Sequence, residues 1–236
     1  MSGNYRRILL KLSGEYFGGE KGIGFHSQTI SMLSKQVCQA HEKGVELGIV
    51  LGGGNFFRGA GEFDIPMDRV AGDHIGMLAT IMNSLCLRES LLSLGKKSRV
   101  MTGLLAPQVA EPFNKQKALS CLKEGEILIF AGGTGNPYFS TDSAAALRAL
   151  EIEADVLIKG TKVDGVYDKD PKLFKDARKL EKLTFTDVLK KDLKVMDATA
   201  IALCRDNNLP LCVLDITQPD NLRRFLNKQE VGTFVS

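Results

Sequence analysis

The sequence predicts an α/β protein with a mostly parallel central sheet covered by helices on both faces. Two observations lead to this prediction. Short apolar runs typical of buried strands alternate along the chain with longer segments typical of helices. Four of the apolar runs lead directly into glycine, at Gly14, Gly52, Gly132 and Gly160. In open sheets ligands bind at the carboxyl ends of the strands, so these glycines predict a site for long phosphate-bearing ligands.

The elements follow in order from these runs and from the residues that end them. The predicted strands are Arg6–Leu12, Ile49–Leu51, Arg99–Thr102, Ile127–Ala131, the run that begins at Val156, and Leu211–Leu214. The predicted helices are Gln28–Lys43, Arg69–Leu94, Asn114–Lys123, Ser143–Leu150, Thr184–Lys190, Ala198–Asn207 and Pro219–Asn227. No low-complexity linker divides the chain. We therefore expect one domain over residues 1–236, with two functional lobes at roughly 1–155 and 156–236.

The composition is that of an ordinary globular protein. The chain has 236 residues, 44% of them hydrophobic and 25% charged, which is enough for one α/β domain with a substantial core. The formal net charge of +3 is too small to indicate nucleic acid or a membrane surface as a partner. We expect neither.

The cysteines and histidines exclude two further classes of site. The five cysteines are widely spaced without any Cys-x-x-Cys pair, which indicates buried thiols in a reducing compartment. The three histidines lack metal-ligand spacing, so we expect no metal site built from protein side chains.

The sequence predicts neither a signal peptide nor a membrane span. The first apolar run is short and is broken by Lys11, and no segment approaches a membrane span. A cytoplasmic protein is expected.

The most informative segment is the glycine-rich loop 132–142, between the predicted strand Ile127–Ala131 and the predicted helix Ser143–Leu150. Its glycines let backbone N–H groups approach an oxyanion, and the helix dipole adds positive potential. Its last residues, Ser140-Thr141-Asp142, are typical of helix caps and also of groups that bind hydroxyls and phosphates. One such loop is usually an ordinary turn, but four on one sheet edge favour a binding site.

Two lysines add a chemical reason to expect phosphoryl transfer, which depends mainly on positioning and on neutralising charge. Lys11 and Lys159 each lie near the end of a predicted strand, where an ammonium group can reach phosphates. A single lysine there is more often a side chain extending to solvent, but two beside glycine loops favour a function. Asp142 either holds both ammonium groups or only caps its helix, and chemistry alone leaves these alternatives even.

Familiar catalytic motifs are absent. There is no Gly-x-x-x-x-Gly-Lys-Ser/Thr segment, which excludes a Walker P-loop. Gly133-Thr134-Gly135 has only two glycines of the dinucleotide-binding pattern and lies mid-chain, so hydride transfer is a poor fit. No Gly-x-Ser-x-Gly elbow or Ser-His-Asp order indicates a hydrolase.

Five segments form an ordered set that is far more specific than any one of them: Lys11-Leu12-Ser13-Gly14-Glu15, Gly52–Gly59, Gly72–Thr80, the 132–142 loop and Thr161–Tyr167. The set resembles that of the bacterial UMP kinases, which have the amino acid kinase fold and are unrelated to P-loop monophosphate kinases. The resemblance runs from about Arg7 to the C terminus. It implies transfer of the ATP γ-phosphoryl group to UMP in pyrimidine nucleotide biosynthesis, with Mg²⁺ held mainly by nucleotide phosphates.

The resemblance also implies roles for individual residues. The implied catalytic residues are Lys11, Lys159 and Asp142, with Asp142 organising the two lysines. The implied ATP-binding residues are Lys11, Leu12, Ser13, Gly14, Gly54, Arg58, Thr161, Tyr167 and Asp170. The implied UMP-binding residues are Gly53, Arg58, Asp73, Thr134, Gly135, Asn136, Pro137, Tyr138, Phe139, Ser140 and Thr141. For Asp73, an N-cap of the long helix is a serious rival interpretation.

One segment departs from the family pattern. Many relatives carry an arginine-rich segment after Val-Ala-Glu-Pro, whereas here Asn114-Lys115-Gln116-Lys117 follows. The resemblance implies inhibition by UTP and assembly as a homohexamer, but we expect weak or absent activation by GTP because lysine lacks the guanidinium fork. The excess of apolar residues in the long 69–94 helix fits a core helix and, less strongly, a subunit interface.

Two other functions remain to be distinguished. A related kinase acting on a carboxylate such as acetylglutamate or aspartate would share the ATP half, but the acceptor pattern Asn136–Asp142 argues against it. A non-catalytic nucleotide sensor needs affinity without transfer geometry, and the retained Lys11, Lys159 and Asp142 argue against that. These lysines would still serve a sensor, so only turnover separates the two.

Overall fold

One mixed but mainly parallel sheet organises the part of the chain that the computed structural model describes, residues 5–59, 66–169, 171 and 173–236. The strands are β1 Arg7–Leu12, β2 Glu46–Leu51, β3 Ser98–Thr102, β4 Glu111–Pro112, β5 Ile127–Ala131, β6 Val156–Thr161, β7 Val166–Tyr167, β8 Lys179–Leu180, β9 Lys182–Leu183, β10 Leu211–Asp215 and β11 Thr233–Val235. Nine described strands are ordered β4-β3-β5-β2-β1-β6-β10-β11-β9. Only the β10–β11 pairing in this sheet is antiparallel, while β7 and β8 form a separate antiparallel pair.

The helices cover both faces of this sheet. They are α1 Ser27–His41, α2 Arg69–Ser93, α3 Lys115–Lys123, α4 Thr141–Glu151, α5 Phe185–Lys190, α6 Ala198–Asp206 and α7 Asn221–Leu226. Residues of α1, α2 and α7 pack with Ile8 and Leu10 on one face of β1. Residues of α3, α4, α5 and α6 pack with Leu9 on the other face. Because side chains alternate along a strand, the apolar side chains of this central strand point to both faces, and all of them are fully buried. The predicted fold class is confirmed.

The sequence of the long helix α2 contains more apolar residues than one core-facing side needs. By length and composition alone it could cross a membrane, so the expectation that no segment approaches a membrane span is wrong for this helix, and it is the one such helix among the described residues. A core helix passes the same test, and α2 places Ile81, Leu87 and Leu91 in the core. Its opposite side leaves Leu78 and Met82 about half exposed. The helix is therefore a core element with a second apolar face.

The predicted helix and strand bounds agree with the structure to within a few residues, with two kinds of difference. Gly160 lies inside β6 and not in a loop, so of the four predicted glycine loops those at Gly14, Gly52 and Gly132 follow their strands and the one at Gly160 does not. The sequence also missed the two- or three-residue strands, such as β4 and β11. Such strands are too short for a periodic pattern, and pairing with a neighbouring strand defines them.

Candidate active site

Three glycine loops meet at the carboxyl edge of the sheet because β5, β2, β1 and β6 are neighbours. The loops after β1 and β2 pack backbone against backbone. A Cβ atom on Gly14 would lie 2.5 Å from the Gly52 oxygen, so only glycine fits there. A Cβ atom on Gly54 would meet nothing closer than Glu15, at 3.4 Å. Packing within the chain therefore does not require glycine at 54.

The two candidate lysines are brought together by strand register. Strands β1 and β6 pair in parallel with Lys11 opposite Lys159. Both side chains lie on the sheet face that is lined by Leu9 and Leu157 and covered by α4. The first turn of α4 then places the Asp142 carboxylate between them. Its Oδ1 lies 2.7 Å from the Lys11 ammonium and its Oδ2 lies 3.1 Å from the Lys159 ammonium.

The triad Lys11–Asp142–Lys159 is largely shielded from water, with side-chain exposures of 11%, 15% and 20%. Burial raises the pKa of Asp142, but the charges of Lys11 and Lys159 outweigh burial and hold that pKa below its ordinary value. Burial lowers the pKa of the Lys159 ammonium, and the Asp142 carboxylate offsets only part of this effect. The triad thus concentrates a net positive charge at the edge of the sheet.

A second carboxylate, Asp197, connects the start of α4 with the start of α6. Asp197 was not among the residues predicted from the sequence. Ser140 caps α4 by accepting from the Asp142 and Ser143 N–H groups. The hydroxyls of Ser140 and Ser143 donate to Asp197, which itself caps α6 by accepting from the Ala200 N–H at 2.8 Å. The Lys159 ammonium also donates to the Val195 carbonyl, two residues before Asp197. These bonds tie the start of α4 to the segment before α6.

Two buried asparagines brace the loop that follows β2. Asn55 and Asn83 exchange amide hydrogen bonds of 2.9 and 2.7 Å, and Asn83 also donates to the Gly52 carbonyl at 2.7 Å. The loop is therefore anchored to α2. Arg58 projects from its far end, where its Nε lies 3.4 Å from the Gly54 oxygen and 3.8 Å from Glu15. Its guanidinium is partly exposed beside the glycine loop.

Asp73 is not the cap of the long helix, so the rival interpretation is wrong. The N-cap is Asp68, whose carboxylate accepts from the Ala71 N–H at 3.1 Å. Asp73 lies one turn inside α2 and accepts from the Tyr138 N–H at 2.7 Å. The carboxylate therefore faces the 132–142 loop.

Most of the remaining residues predicted to bind UMP lie together after β5. Thr134 and Asn136 form a local turn in which the Asn136 N–H donates to the Thr134 hydroxyl at 3.2 Å. Tyr138 and Phe139 are 68% and 51% exposed, so both side chains are accessible to solvent. Gly53, Gly135, Pro137 and Thr141 complete the predicted set. Gly53 packs against α2, where a Cβ atom would lie 2.7 Å from the Gly76 oxygen.

The predicted ATP-binding residues divide into three groups. Ser13 is exposed at the end of β1, whereas the Leu12 side chain is fully buried, so only the Leu12 backbone faces the edge. Thr161 and Tyr167 line a cavity of about 350 Å³ together with Lys159 and the segment 191–195. Asp170 lies outside the described residues.

No cluster of protein ligands for a metal ion accompanies these residues. Within the described parts of the chain, no group of three or more His, Cys, Asp or Glu side chains could hold one. The carboxylate between the two candidate lysines, Asp142, already pairs with both ammonium groups. A divalent cation at this site would therefore need to be held mostly by oxygens of a ligand.

Comparisons with known proteins agree with this architecture. Residues 6–215 match the amino acid kinase family. The chain is 48% identical over 231 residues to a uridylate kinase of Bacteroides thetaiotaomicron, covering 98% of each chain, and 50% identical over 232 residues to one of Xanthomonas oryzae pv. oryzae, covering 98% of this chain and 97% of the other. It is similar to the crystal structure of UMP kinase from Bacillus anthracis, with a TM-score of 0.95 and 40% identity, covering 99% of this chain and 97% of the other.

Proposed function

This chain belongs to the amino acid kinase family, and we propose that it transfers the γ-phosphoryl group of ATP to UMP, giving UDP and ADP for pyrimidine nucleotide synthesis. The observation that carries the proposal is the Asp142 carboxylate held between Lys11 and Lys159 beside glycine loops at the sheet edge. This arrangement suits transfer of a charged group between two phosphate-bearing ligands.

The chemistry needs neutralisation of charge more than a base. An oxygen of the UMP phosphate attacks the γ-phosphorus, and the bond from that phosphorus to the β–γ bridging oxygen breaks, so that ADP leaves. The second pKa of a phosphate monoester is about 6, so the attacking oxygen carries no proton that must be removed at neutral pH. The ammonium groups of Lys11 and Lys159 neutralise charge on the transferring group, and Asp142 holds them in position.

Magnesium fits this scheme as part of the nucleotide. We assign Mg²⁺ to the ATP phosphate oxygens, because the described residues supply no carboxylate cluster for it. When bound, it adds neutralising charge on the phosphates. The chain contributes the lysine pair and the glycine loops around it.

We assign the two nucleotides to the two lobes. UMP takes the 1–155 side, bounded by Gly53, Asp73 and residues 134–141, with Arg58 near the phosphates. ATP takes the 156–236 side, where Thr161 and Tyr167 border the cavity of about 350 Å³. Ser13, Gly14 and Gly54 lie between them with the triad, where phosphates of both nucleotides would meet.

The test is a steady-state assay of ADP formation from ATP with each pyrimidine and purine monophosphate, and with acetylglutamate and aspartate. We expect turnover with UMP above all others. Turnover with an amino acid derivative and not with UMP would indicate the carboxylate kinase instead. Nucleotide binding without any turnover would indicate a sensor.

UTP is expected to inhibit in competition with UMP. Its uracil and ribose match the UMP side, and its additional phosphates reach toward Lys11 and Gly54.

Activation by GTP is expected to be weak, because Lys115 and Lys117 are already paired with Glu153 and Glu111 and lack a guanidinium fork. The measurement is initial rate against UMP at several UTP concentrations, with and without GTP. UTP insensitivity contradicts the first expectation, and strong stimulation by GTP contradicts the second.

We further propose that copies of the chain assemble, as a homohexamer, through the outer side of α2. Leu78 and Met82 are 53% and 44% exposed on a helix whose other side is in the core, and burying them would stabilise a contact. Light scattering after size exclusion should give a multimer, and Leu78→Glu should reduce its mass. A monomeric unmodified chain at micromolar concentration contradicts the proposal.

We propose a cytoplasmic location for the protein. All five cysteines are free in the structure, which suits a reducing compartment.

A further inference from the structure

We propose that Arg69 is a positioning residue for the acceptor side, which holds the Asp73 carboxylate and the tip of the 132–142 loop in one arrangement. We call Arg69, Asp73 and Tyr138 the acceptor latch. The inference rests on the proposed function, in which Asp73 bounds the UMP side of the site.

The latch is built from three contacts around one carboxylate. The Arg69 Nε lies 2.9 Å from both Oδ1 and Oδ2 of Asp73, one helical turn away. The Tyr138 N–H donates to Oδ2 at 2.7 Å, and the Tyr138 ring lies over the Arg69 guanidinium with 5.5 Å between the guanidinium carbon and the ring centroid. Arg69 therefore contacts both the Asp73 carboxylate, which binds the loop backbone, and the Tyr138 ring at the tip of the loop.

The carboxylate keeps capacity for a ligand. A carboxylate accepts about four hydrogen bonds, and here Oδ2 receives two while Oδ1 receives only a shared one from Arg69. A ribose hydroxyl can therefore donate to Oδ1 without breaking the bond to Tyr138. The same side chain then binds the acceptor and holds the loop that covers it.

Helix stability does not explain an arginine at this position. Arg69 is the first residue of α2, where a cation is repelled by the helix dipole. An exposed ion pair one turn apart also contributes little to folding. Tyr138 adopts a φ of 71°, an unfavourable conformation for a residue with a Cβ atom, and the contacts with Asp73 and Arg69 help to hold it there.

The experiment compares Arg69→Gln and Arg69→Lys with the unmodified chain. For Arg69→Gln we expect the UMP KM to rise about three- to tenfold, as for loss of a charge-assisted hydrogen bond. The ATP KM should stay within about twofold. The melting temperature should stay level or rise slightly, because the unfavourable interaction with the helix dipole is removed. Arg69→Lys keeps the charge without the planar fork and should give an intermediate KM.

Two further variants provide a larger expected effect and a control for comparison with Arg69→Gln. Asp73→Ala removes the centre of the latch and should raise the UMP KM more than Arg69→Gln does, again with little change for ATP. Arg223→Gln is the matched control, because Arg223 of α7 forms a comparable exposed pair, at 2.8 Å, with Asp220 at the start of that helix. It should leave both KM values unchanged.

The chain contains no tryptophan, so Tyr138→Trp supplies a single fluorescent reporter of the loop tip. Its emission should change on titration with UMP alone, and Arg69→Gln in that background should weaken the apparent UMP affinity by a similar factor. An unchanged UMP KM in Arg69→Gln overturns the latch. Equal rises in both KM values with a lower melting temperature also overturn it, in favour of a structural role. Absence of turnover by the unmodified chain contradicts the proposed function instead.

Discussion

Lys11→Met is expected to lower kcat by about a hundredfold or more while UMP affinity stays nearly intact. Lys11 is 9% exposed at the end of β1, and its ammonium lies 2.7 Å from Asp142. A charge so shielded from water acts strongly on the transferring phosphoryl group, where negative charge must be neutralised. Folding should change little, because the remaining Asp142–Lys159 pair is neutral. The measurements are kcat, both KM values and the melting temperature.

Lys35→Met provides the matched control, since Lys35 is an exposed lysine on α1. It removes the same charge from the same chain and should retain full kcat. If Lys11→Met kept a normal kcat and only bound ATP weakly, the catalytic assignment of Lys11 would be wrong. A large fall in melting temperature would instead show that the lysine is needed for folding.

Asp142→Asn should lower both activity and stability. It leaves two shielded ammonium groups side by side without the carboxylate that pairs with both, which we expect to cost roughly 3 kcal/mol of unfolding free energy. We expect kcat to fall about a thousandfold, because the lysines lose the group that positions them. Without the carboxylate, the charged form of Lys159 is less favoured and the already lowered pKa of Lys159 falls further. The alkaline limb of the residual kcat profile should therefore move to lower pH.

The double variant Lys11→Met/Asp142→Asn tests this explanation of the stability loss. It leaves only one ammonium group, so it should be more stable than Asp142→Asn alone, and the two changes should be clearly non-additive. Asp206→Asn is the control, because Asp206 forms an exposed pair with Arg205 at 2.8 Å on α6. Additive effects in the double variant, or a kcat near normal in Asp142→Asn, would contradict the role given to the triad. Denaturant unfolding and kcat against pH are the measurements.

The pH dependence of unfolding gives the same triad a thermodynamic signature. The pKa of Asp142 is lower in the folded chain than its ordinary value of 3.8. The unfolded chain therefore takes up a proton first as the pH falls. The stability from this carboxylate is fully present above pH 3.8 and is lost as the pH falls toward the lower folded value.

The core elements were predictable because the signals are local. The apolar run Ile127–Ala131 matches β5 residue for residue, and the helix starts followed capping residues such as Ser140. The alternation of side chains along a strand also places Lys11 and Lys159 on the Leu9 and Leu157 face. That regularity made a shared location for the two lysines predictable once their strands were neighbours.

The hydrogen-bond partners of the site residues could not be predicted from local sequence patterns. In sequence, Asp197 is an ordinary helix cap, and only folding brings the Ser140 and Ser143 hydroxyls to it. Asp73 was ambiguous between a cap and a ligand until the structure placed Asp68 at the cap and Tyr138 beside Asp73.

By itself the sequence determined the α/β class, the order of the main elements and the residue types at the carboxyl edge of the sheet. Those properties depend on hydrophobic periodicity, glycine and helix caps within a few residues of one another. Only the tertiary structure decided that Asp142 pairs with both lysines, that Gly160 belongs to β6, and that Asp73 accepts from both Arg69 and Tyr138. Strand register and helix packing bring residues far apart in sequence into contact, and no local pattern encodes which of them meet.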